Sequence, residues 1–499
     1  MDNQEQSRPA RRLSGFFLLS FGYVGLRFLL SPVRSRLLTG QLPKELYGSL
    51  TLAVTTVTFL ATLLALGAYE FLARRLPGLP AARQKGWLSL LLRRLALPGW
   101  LAAGAAAAVL LAIGRLPGIA PADLLCLWAD LGLTLWLLYR VFYALGCNRI
   151  GTLRTIQLFQ NDLWFVAVFA AGAWAAASFS HSLWIWTAWL AVLALAVLAF
   201  DRHPGPAEPP PGEGVRDVLA FGIPLLPMMT GEILFRLADR YLLLAFRDMA
   251  VVAEYTLAMN IAMMAYVTGA SLLDLVIPHL YAAANRRNAG MGAAAAALPP
   301  TDGMRRLFSL MVRHMTGLGA ILGLALHVFR HDIFAILAAP DFRNAADLMP
   351  WIAPIPLAFL LSMVASRALL AQDRSRLVGG ATLAAALLNL AVDFAIVPRW
   401  GAPGAAVATF ASMAALTVFL LAVLRAPRWL VLADLRPVRL LAGILACAAA
   451  YHLIDRLLPG ASPWLRIPLA GVPTLPILFL SRIFTPSDMA LLKAPKPGA

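Results

Sequence analysis

The sequence predicts an all-α polytopic membrane protein of about fourteen transmembrane helices, built as two six-helix lobes with two further helices at the C-terminal end. Three observations carry that expectation. Of 499 residues, 60% are hydrophobic and only 13% are charged, whereas soluble domains carry about a quarter charged residues. Mean hydropathy is +0.75. Apolar windows of about 20 residues, long enough to cross a bilayer as a helix, recur from one end of the chain to the other.

Those windows centre on 13–33, 46–73, 88–114, 121–145, 152–176, 182–200, 215–245, 250–283, 307–330, 348–371, 376–397, 402–425, 436–457 and 464–484. Arg8 to Arg12 before the first run imitate a signal peptide, but no small-residue cleavage site follows, so the run reads as a retained helix. Only the short stretch 177–181 divides the fifth window from the sixth. Pro459, Pro463, Pro468, Pro473 and Pro476 crowd the last two. The segment 201–214, DRHPGPAEPPPGEG, is Pro-rich, polar and stiff, and marks a linker. It divides the chain into an N-terminal lobe at 1–200, a C-terminal lobe at 215–425, and a final pair with its tail at 426–499. No loop is long enough to hold a separate soluble domain.

Formal net charge is +17. In a soluble chain that would point to nucleic acid; in a membrane chain it reflects the Lys and Arg that collect in cytoplasmic loops, and no nucleic-acid partner is expected. An even number of spans leaves both termini on one side. With the termini inside, the cytoplasmic segments hold Arg8, Arg11, Arg12, Arg74, Arg75, Arg83, Lys85, Arg149, Arg202, Arg286, Arg287, Arg305, Arg306, Arg374, Arg428, Lys493 and Lys496, seventeen in all. The opposite side holds seven: Arg34, Arg36, Lys44, Arg115, Arg247, Arg343 and Arg399. The bias puts both termini in the cytoplasm. Cys126, Cys147 and Cys447 have no ligand spacing and carry no disulfide signal.

Two local matches suggest that the lobes are duplicates. Arg36 and Glu70 are separated by 34 residues, as are Arg240 and Asp274. Arg140, Ala144, Arg149 and Asn161 align with Arg367, Ala371, Arg376 and Asn389 at spacings of 4, 9 and 21 against 4, 9 and 22. Equivalent spans differ by six, an even number, so the repeat is parallel, with its pseudo-two-fold axis along the membrane normal.

Particular residues resemble a known family. Arg36-Leu37-Leu38, Lys44-Glu45-Leu46-Tyr47-Gly48, Leu66-Gly67 and Arg74-Arg75 are similar to the opening of the polysaccharide-transporter (oligosaccharide) flippases. Phe221-Gly222-Ile223-Pro224, Asp239-Arg240 and Glu254-Tyr255 resemble the start of that family's second half. Leu387-Leu388-Asn389, Val397-Pro398-Arg399-Trp400-Gly401 and Gly404-Ala405-Ala406 are the most recognisable piece. The similarity spans roughly residues 13–425, within the multidrug/oligosaccharidyl-lipid/polysaccharide superfamily. It implies two lobes around a central cavity and transport by alternating access. The implied substrate is an undecaprenyl-diphosphate-linked oligosaccharide, a repeat unit of O-antigen, capsule or exopolysaccharide, moved from the inner to the outer leaflet of the cell inner membrane. The implied partners are that lipid, the surrounding membrane lipids, and polysaccharide polymerase and export proteins. No cofactor and no metal are expected. A proton or sodium gradient, or the membrane potential, would drive return.

Ionisable groups within spans are costly and usually face a cavity or a partner. Glu232, Arg236, Asp239 and Arg240 fall at about 0°, 40°, −20° and 80° around a helix, one face roughly 100° wide above Pro224 and Pro227. They read as a cavity wall that binds substrate, or as a self-neutralising Glu232–Arg236 pair. Arg27 is a lone cation in the first span. Guanidinium forks match phosphate oxygens, so Arg27 and Arg236 are the expected diphosphate ligands, with a structural Arg27–Glu232 pair as the alternative. Glu70, Asp162, Asp274 and Asp393 are candidate coupling or gating acids, and Asp130 is similar. Arg34 and Arg36 read as outer-surface anchors, or as residues that meet the head group on release.

Other functions find less support. None of the four lysines sits in a phosphate-binding GK[ST] context, which excludes ATP hydrolysis by that route. The outer loops are short for a membrane glycosyltransferase or polymerase, with Asp332, Asp341 and Asp347 as the only acidic candidates, so no enzymatic activity is expected. His327 and His331 have metal spacing without a catalytic Glu between them. Gly319 and Gly323 read as helix packing. A cation-coupled multidrug exporter of the same superfamily is the serious competitor, disfavoured by the arginines Arg27, Arg236 and Arg240.

Overall fold

Helices account for nearly all of the described residues in the computed structural model, because a backbone inside hydrocarbon must satisfy its own hydrogen bonds. The structure describes residues 22, 25–26, 30–31, 33–68, 71–72, 76, 79–113, 120–147, 149–172, 174, 178–200, 208, 214–288, 300–372 and 374–481. Among these, ten helices are long and apolar enough to span a membrane, and a bent pair supplies an eleventh. The chain is a multi-pass membrane protein. It divides into two compact units, residues 1–230 and 231–499.

In the first unit the spans are α1 (Lys44–Leu64), α2 (Ala81–Ala112), α3 (Pro121–Gly146) and α6 (Phe179–Phe200). The fifth window is broken into α4 (Ile150–Gln157) and α5 (Phe165–Ala171) by a wide turn over Leu158–Asp162. There the Leu163 N–H reaches the Leu158 carbonyl five residues back, at 3.0 Å. Such a widened turn rotates the side chains that follow it and is frequent at functional positions. The first window lies mostly outside the described residues.

Two tryptophans lock α2 to α3. The rings of Trp100 and Trp128 stack at 4.3 Å and 7°. Each indole N–H donates to the other's backbone carbonyl, at 2.8 and 3.0 Å. Gly104 and Gly132, one turn beyond each tryptophan, make room: an added Cβ would lie 2.3 Å and 2.6 Å from the opposing Nε1. Both indole N–H groups are thereby satisfied away from water, as a membrane interior requires.

α7 (Val215–Phe246) begins in the first unit. Gly222 approaches the turn after α1 so closely that a Cβ there would lie 1.9 Å from the Leu66 carbonyl oxygen. The partner turn needs its own glycine, since Gly67 has φ +71° and its Cβ would meet the Gly222 Cα at 2.7 Å. A tight turn at Ile223–Leu225 follows, with Pro224 in it. Pro224 thus sits where the regular α-helix is interrupted.

The second unit contains α8 (Met249–Asn288), α9 (Asp302–Val328), α10 (Arg330–Leu337), α11 (Ile355–Leu370), α12 (Ser375–Trp400), α13 (Ala402–Leu424), α14 (Pro437–Leu457) and α15 (Pro463–Leu480). Helix α11 with the preceding Pro340–Ile352 forms the span bent by 47°. Gly319 and Gly323 let α9 close on this element: added Cβ atoms would lie 2.9 Å from Leu357 and 2.8 Å from the Ala353 carbonyl. Both fit the packing role read from their spacing.

The final pair, α14 and α15, is fastened to α9 and its flanks at both ends. At one end Trp429 is buried edge-on against Phe308, the Val431 N–H donates to Ser309 Oγ at 2.7 Å, and the buried Arg313 donates to the Asp434 carbonyl. At the other, Arg466 pairs with Asp332 at 2.9 Å and also with Asp455. Between the ends, Ile321, Phe329, Leu440, Cys447, Tyr451 and Ala470 form one apolar core. Asp332, the leading acid of the 330–347 segment, is therefore taken up in an ion pair.

Candidate functional site

The densest buried polar cluster among the described residues of the second unit is built from four helices. Asp239 of α7 and Asp393 of α12 are only 2% and 0% exposed, and their carboxyls lie within hydrogen-bonding reach of each other. Tyr255 of α8 donates its hydroxyl to Asp239 Oδ2 at 2.5 Å, and Thr409 of α13 donates to the same oxygen at 2.8 Å. Asn389, one turn before Asp393 on α12, donates its amide to Asp393 Oδ2 at 3.1 Å. The i,i+4 spacing stacks Asn389 and Asp393 on one face, and the small residues Ala405 and Ala406 of α13, both buried, let the helices close around them.

The donors are fewer than the acceptors. Asp239 Oδ1, Asp393 Oδ1 and Asn389 Oδ1 are buried oxygens that accept no hydrogen bond. Arg240, also buried, brings one positive charge to Asp239. Two carboxylates and one guanidinium leave one negative charge, so one further positive charge makes the cluster neutral. That is the charge of one proton or one alkali cation. Among the described residues no three His, Cys, Asp or Glu side chains converge as a transition-metal site would require.

Of the expected cavity residues, Glu232 and Arg236 are exposed on α7, whereas Asp239 and Arg240 are buried. The four charges thus do not make one exposed face. Asp239 lies at nearly the same helical angle as Glu232, but two turns higher α8, α12 and α13 close over it. Among the coupling acids, Asp393 joins the cluster. Asp162 is buried at the widened turn and meets Arg34 at 3.7 Å, while Arg34 also donates to the Asn161 carbonyl at 2.8 Å. Arg34 is therefore half-buried and engaged with the fifth span, a different setting from the surface anchor its position predicts. Asp274 lies within α8, its side chain outside the described residues. Arg27 and Glu70 also lie outside them.

Two offsets set these arrangements in correspondence: 204, from Arg36 to Arg240, carries Arg34 to the position beside Asp239, and 228 carries Asn161 to Asn389. Asp162 meets a guanidinium, whereas Asp393 meets a second acid. Tyr255, Asn389 and Thr409 were not among the candidate ligands. Asn389 could have been found from its i,i+4 spacing to Asp393, and Tyr255 from its place in the Glu254-Tyr255 pair. Nothing in the sequence distinguishes Thr409 from other small residues of α13.

Neither a family model nor a curated protein matches the sequence. Solved structures do match in fold. The lipid II flippase MurJ, in an inward closed conformation, superimposes with a TM-score of 0.65 at 11% identity, covering 94% of this chain and 98% of that one. An inward-facing multidrug-resistance MATE family transporter of the MOP superfamily gives 0.59 at 13% identity, covering 82% and 98%. A MOP superfamily transporter from Pyrococcus furiosus, described as having a binding pocket of reverse polarity, gives 0.54 at 12%, covering 84% and 94%. The chain has the fold of these transporters and flippases.

Proposed function

We propose that this chain is an ion-coupled flippase that carries an undecaprenyl-diphosphate-linked oligosaccharide from the inner to the outer leaflet by alternating access, with no enzymatic step. The observation that carries this reading lies on α7. Arg236, exposed, and Asp239, buried in the acid cluster, are three residues apart on the same helix, less than one turn. A guanidinium suited to a diphosphate and a carboxylate suited to a coupling ion thus move as one rigid piece. Neutralising the Asp239–Asp393 pair lowers the cost of packing α7 against α12 and α13, which biases one conformation of the helix that presents Arg236. The extent of the fold match supports the lipid-linked substrate, since the flippase MurJ covers 94% of this chain and the MATE transporter 82%.

The proposed cycle starts with the diphosphate on Arg236 and Arg27 in the inward-open state. The lobes rock, the glycan is released outside, and a proton or sodium ion at the acid pair accompanies return. The delivered repeat unit would pass to polymerase and export proteins. In proteoliposomes holding a polyprenyl-diphosphate oligosaccharide, the fraction open to an external glycosidase should rise beyond the outer-leaflet share only with active protein and an ion gradient. Arg27→Ala and Arg236→Ala should each cut that rate at least about tenfold, the loss of one charge-assisted phosphate contact. Wild-type rates in both variants would sink the head-group assignment.

The cell inner membrane, with cytoplasmic termini and linker, is the proposed location. Single cysteines introduced within 201–214 should react with a membrane-impermeant maleimide only after the cells are opened; labelling of intact cells would invert the topology. The second reading, a cation-coupled drug exporter, draws on the same buried acids and the MATE-like fold. Gradient-driven efflux of a cationic dye, without glycolipid movement, would favour it.

A further inference from the structure

The first unit contains an acid of a different kind. Asp130, midway along α3, is 0% exposed, and neither of its carboxyl oxygens accepts a hydrogen bond among the described residues. On its own helix it is flanked by Asp123 and Cys126 toward the Pro121 end and by Thr134 on the other side, all buried. At about 100° per residue, Asp123, Cys126, Asp130 and Thr134 fall at about 0°, −60°, −20° and 20°, a single face. Asp123 Oδ1 and the Thr134 hydroxyl on this face also have no hydrogen-bond partner. From α6, Thr187 comes within reach of Asp130. Among the described residues no Lys, Arg or His acts on the Asp130 carboxyl.

The Thr187 hydroxyl bonds the Leu183 carbonyl at 3.0 Å, and a hydroxyl can rotate to serve a neighbour as donor or acceptor. An ionised Asp130 would have at most this one shared hydroxyl, and in a membrane interior a carboxylate so poorly satisfied is costly. A neutral carboxylic acid can instead donate its O–H to Thr187 and bury no charge.

We propose that Asp130 is a proton-binding site of the first unit, charged and discharged along the Asp123–Cys126 face of α3. The step is the transfer of one proton from hydronium to the carboxylate, giving the carboxylic acid and water, and its reverse. Asp123, in the first turn of α3, stands about 10.5 Å from the level of Asp130, with the Cys126 thiol between them. This is the end of α3 that the charge count assigns to the outside. The site uses no residue of the Asp239–Asp393 cluster and requires no particular substrate, so it stands apart from the flippase reading.

Infrared difference spectroscopy on the full-length protein in liposomes tests the proposal. Stepping the pH between about 9 and about 5 should bring in a carboxylic C=O stretch that shifts in heavy water. The band should persist in an Asp239→Asn/Asp393→Asn double variant and vanish in Asp130→Asn. Thr187→Val, which keeps the acid and removes its acceptor, should move the band to higher frequency, so the assignment does not depend on one variant folding. Asp123→Asn should slow the band's response to a pH jump at least tenfold. A band that is unchanged across the whole pH range marks a permanently protonated structural acid and overturns the proposal. A band that responds to sodium rather than to pH does so as well.

Discussion

Asp393→Asn should abolish gradient-driven translocation while leaving the protein at least as stable as wild type. Both halves follow from the geometry. The asparagine oxygen can still accept the bond from the Asn389 amide that Asp393 Oδ2 accepts at 3.1 Å. The substitution also removes one of two carboxyls held together in the core of the second unit. Two carboxyls sharing a buried site disfavour each other's charged form, so replacing one by a neutral amide of the same shape relieves that repulsion. Asp239→Asn should behave alike, because one amide oxygen can accept from both Tyr255 and Thr409. With either acid gone the cluster is already neutral, and no further positive charge is drawn in when the gradient is applied. The checks are thermal unfolding in detergent and the glycosidase-accessibility assay with and without a gradient. Wild-type gradient dependence in both variants would remove the cluster from the coupling mechanism. Loss of activity together with a large fall in unfolding temperature would assign it a structural role instead.

Tyr255→Phe and Thr409→Val probe the same cluster in the opposite sense. Each removes a donor to Asp239 and leaves a buried carboxylate less satisfied, so each should destabilise by about 1–3 kcal/mol. Opposite signs of stability change for acid and donor variants are the signature of a carboxylate that the fold holds at a cost.

Gly222→Ala should be the most damaging single methyl group in the first unit. Its Cβ would sit 1.9 Å from the Leu66 carbonyl oxygen, and the obstacle is backbone, which cannot rotate away. Gly67→Ala meets the same contact from the other side and adds the strain of a non-glycine residue at φ +71°. Each should lower unfolding stability by about 3 kcal/mol, the upper end for overpacking. Gly151→Ala is the control. It lies in α4 with nothing within 4 Å of the added Cβ, and should be neutral or stabilising by up to about 1 kcal/mol. Equal unfolding temperatures for Gly222→Ala and Gly151→Ala would disprove the close crossing of α7 over the turn after α1. The crossing immediately precedes the tight turn at Ile223–Leu225, so a variant that folds but is displaced there should also lose transport.

Much of the architecture is legible in the chain because the solvent is hydrocarbon. A long apolar run can satisfy its backbone there only as a helix, so window length and composition find the ten spans and the bent eleventh of the described residues, though not the break in the fifth window. Pro224 announces the tight turn in α7, and Gly319 and Gly323 announce close packing, because each acts within one or two turns of its own helix. The break at Leu158–Asp162 is not announced. It depends on fitting a widened turn around Asp162 and Arg34, which are 128 residues apart in sequence.

The site divides along the same line. Sequence alone determined that the protein is helical and spans the membrane, and it singled out Asp239 and Asp393 as charges that must find partners. Helical angle put Asp239 on a face with Glu232 and Arg236, and angle knows nothing of height. Only the tertiary structure decided that α8, α12 and α13 close over Asp239 and leave Arg236 exposed. It alone paired Asp239 with Asp393 and brought in Tyr255 and Thr409. It also set the buried Asp130 within reach of Thr187 on α6. The reason is physical: burial of a charge is a property of the helices around it, and those are distant in sequence and chosen by packing.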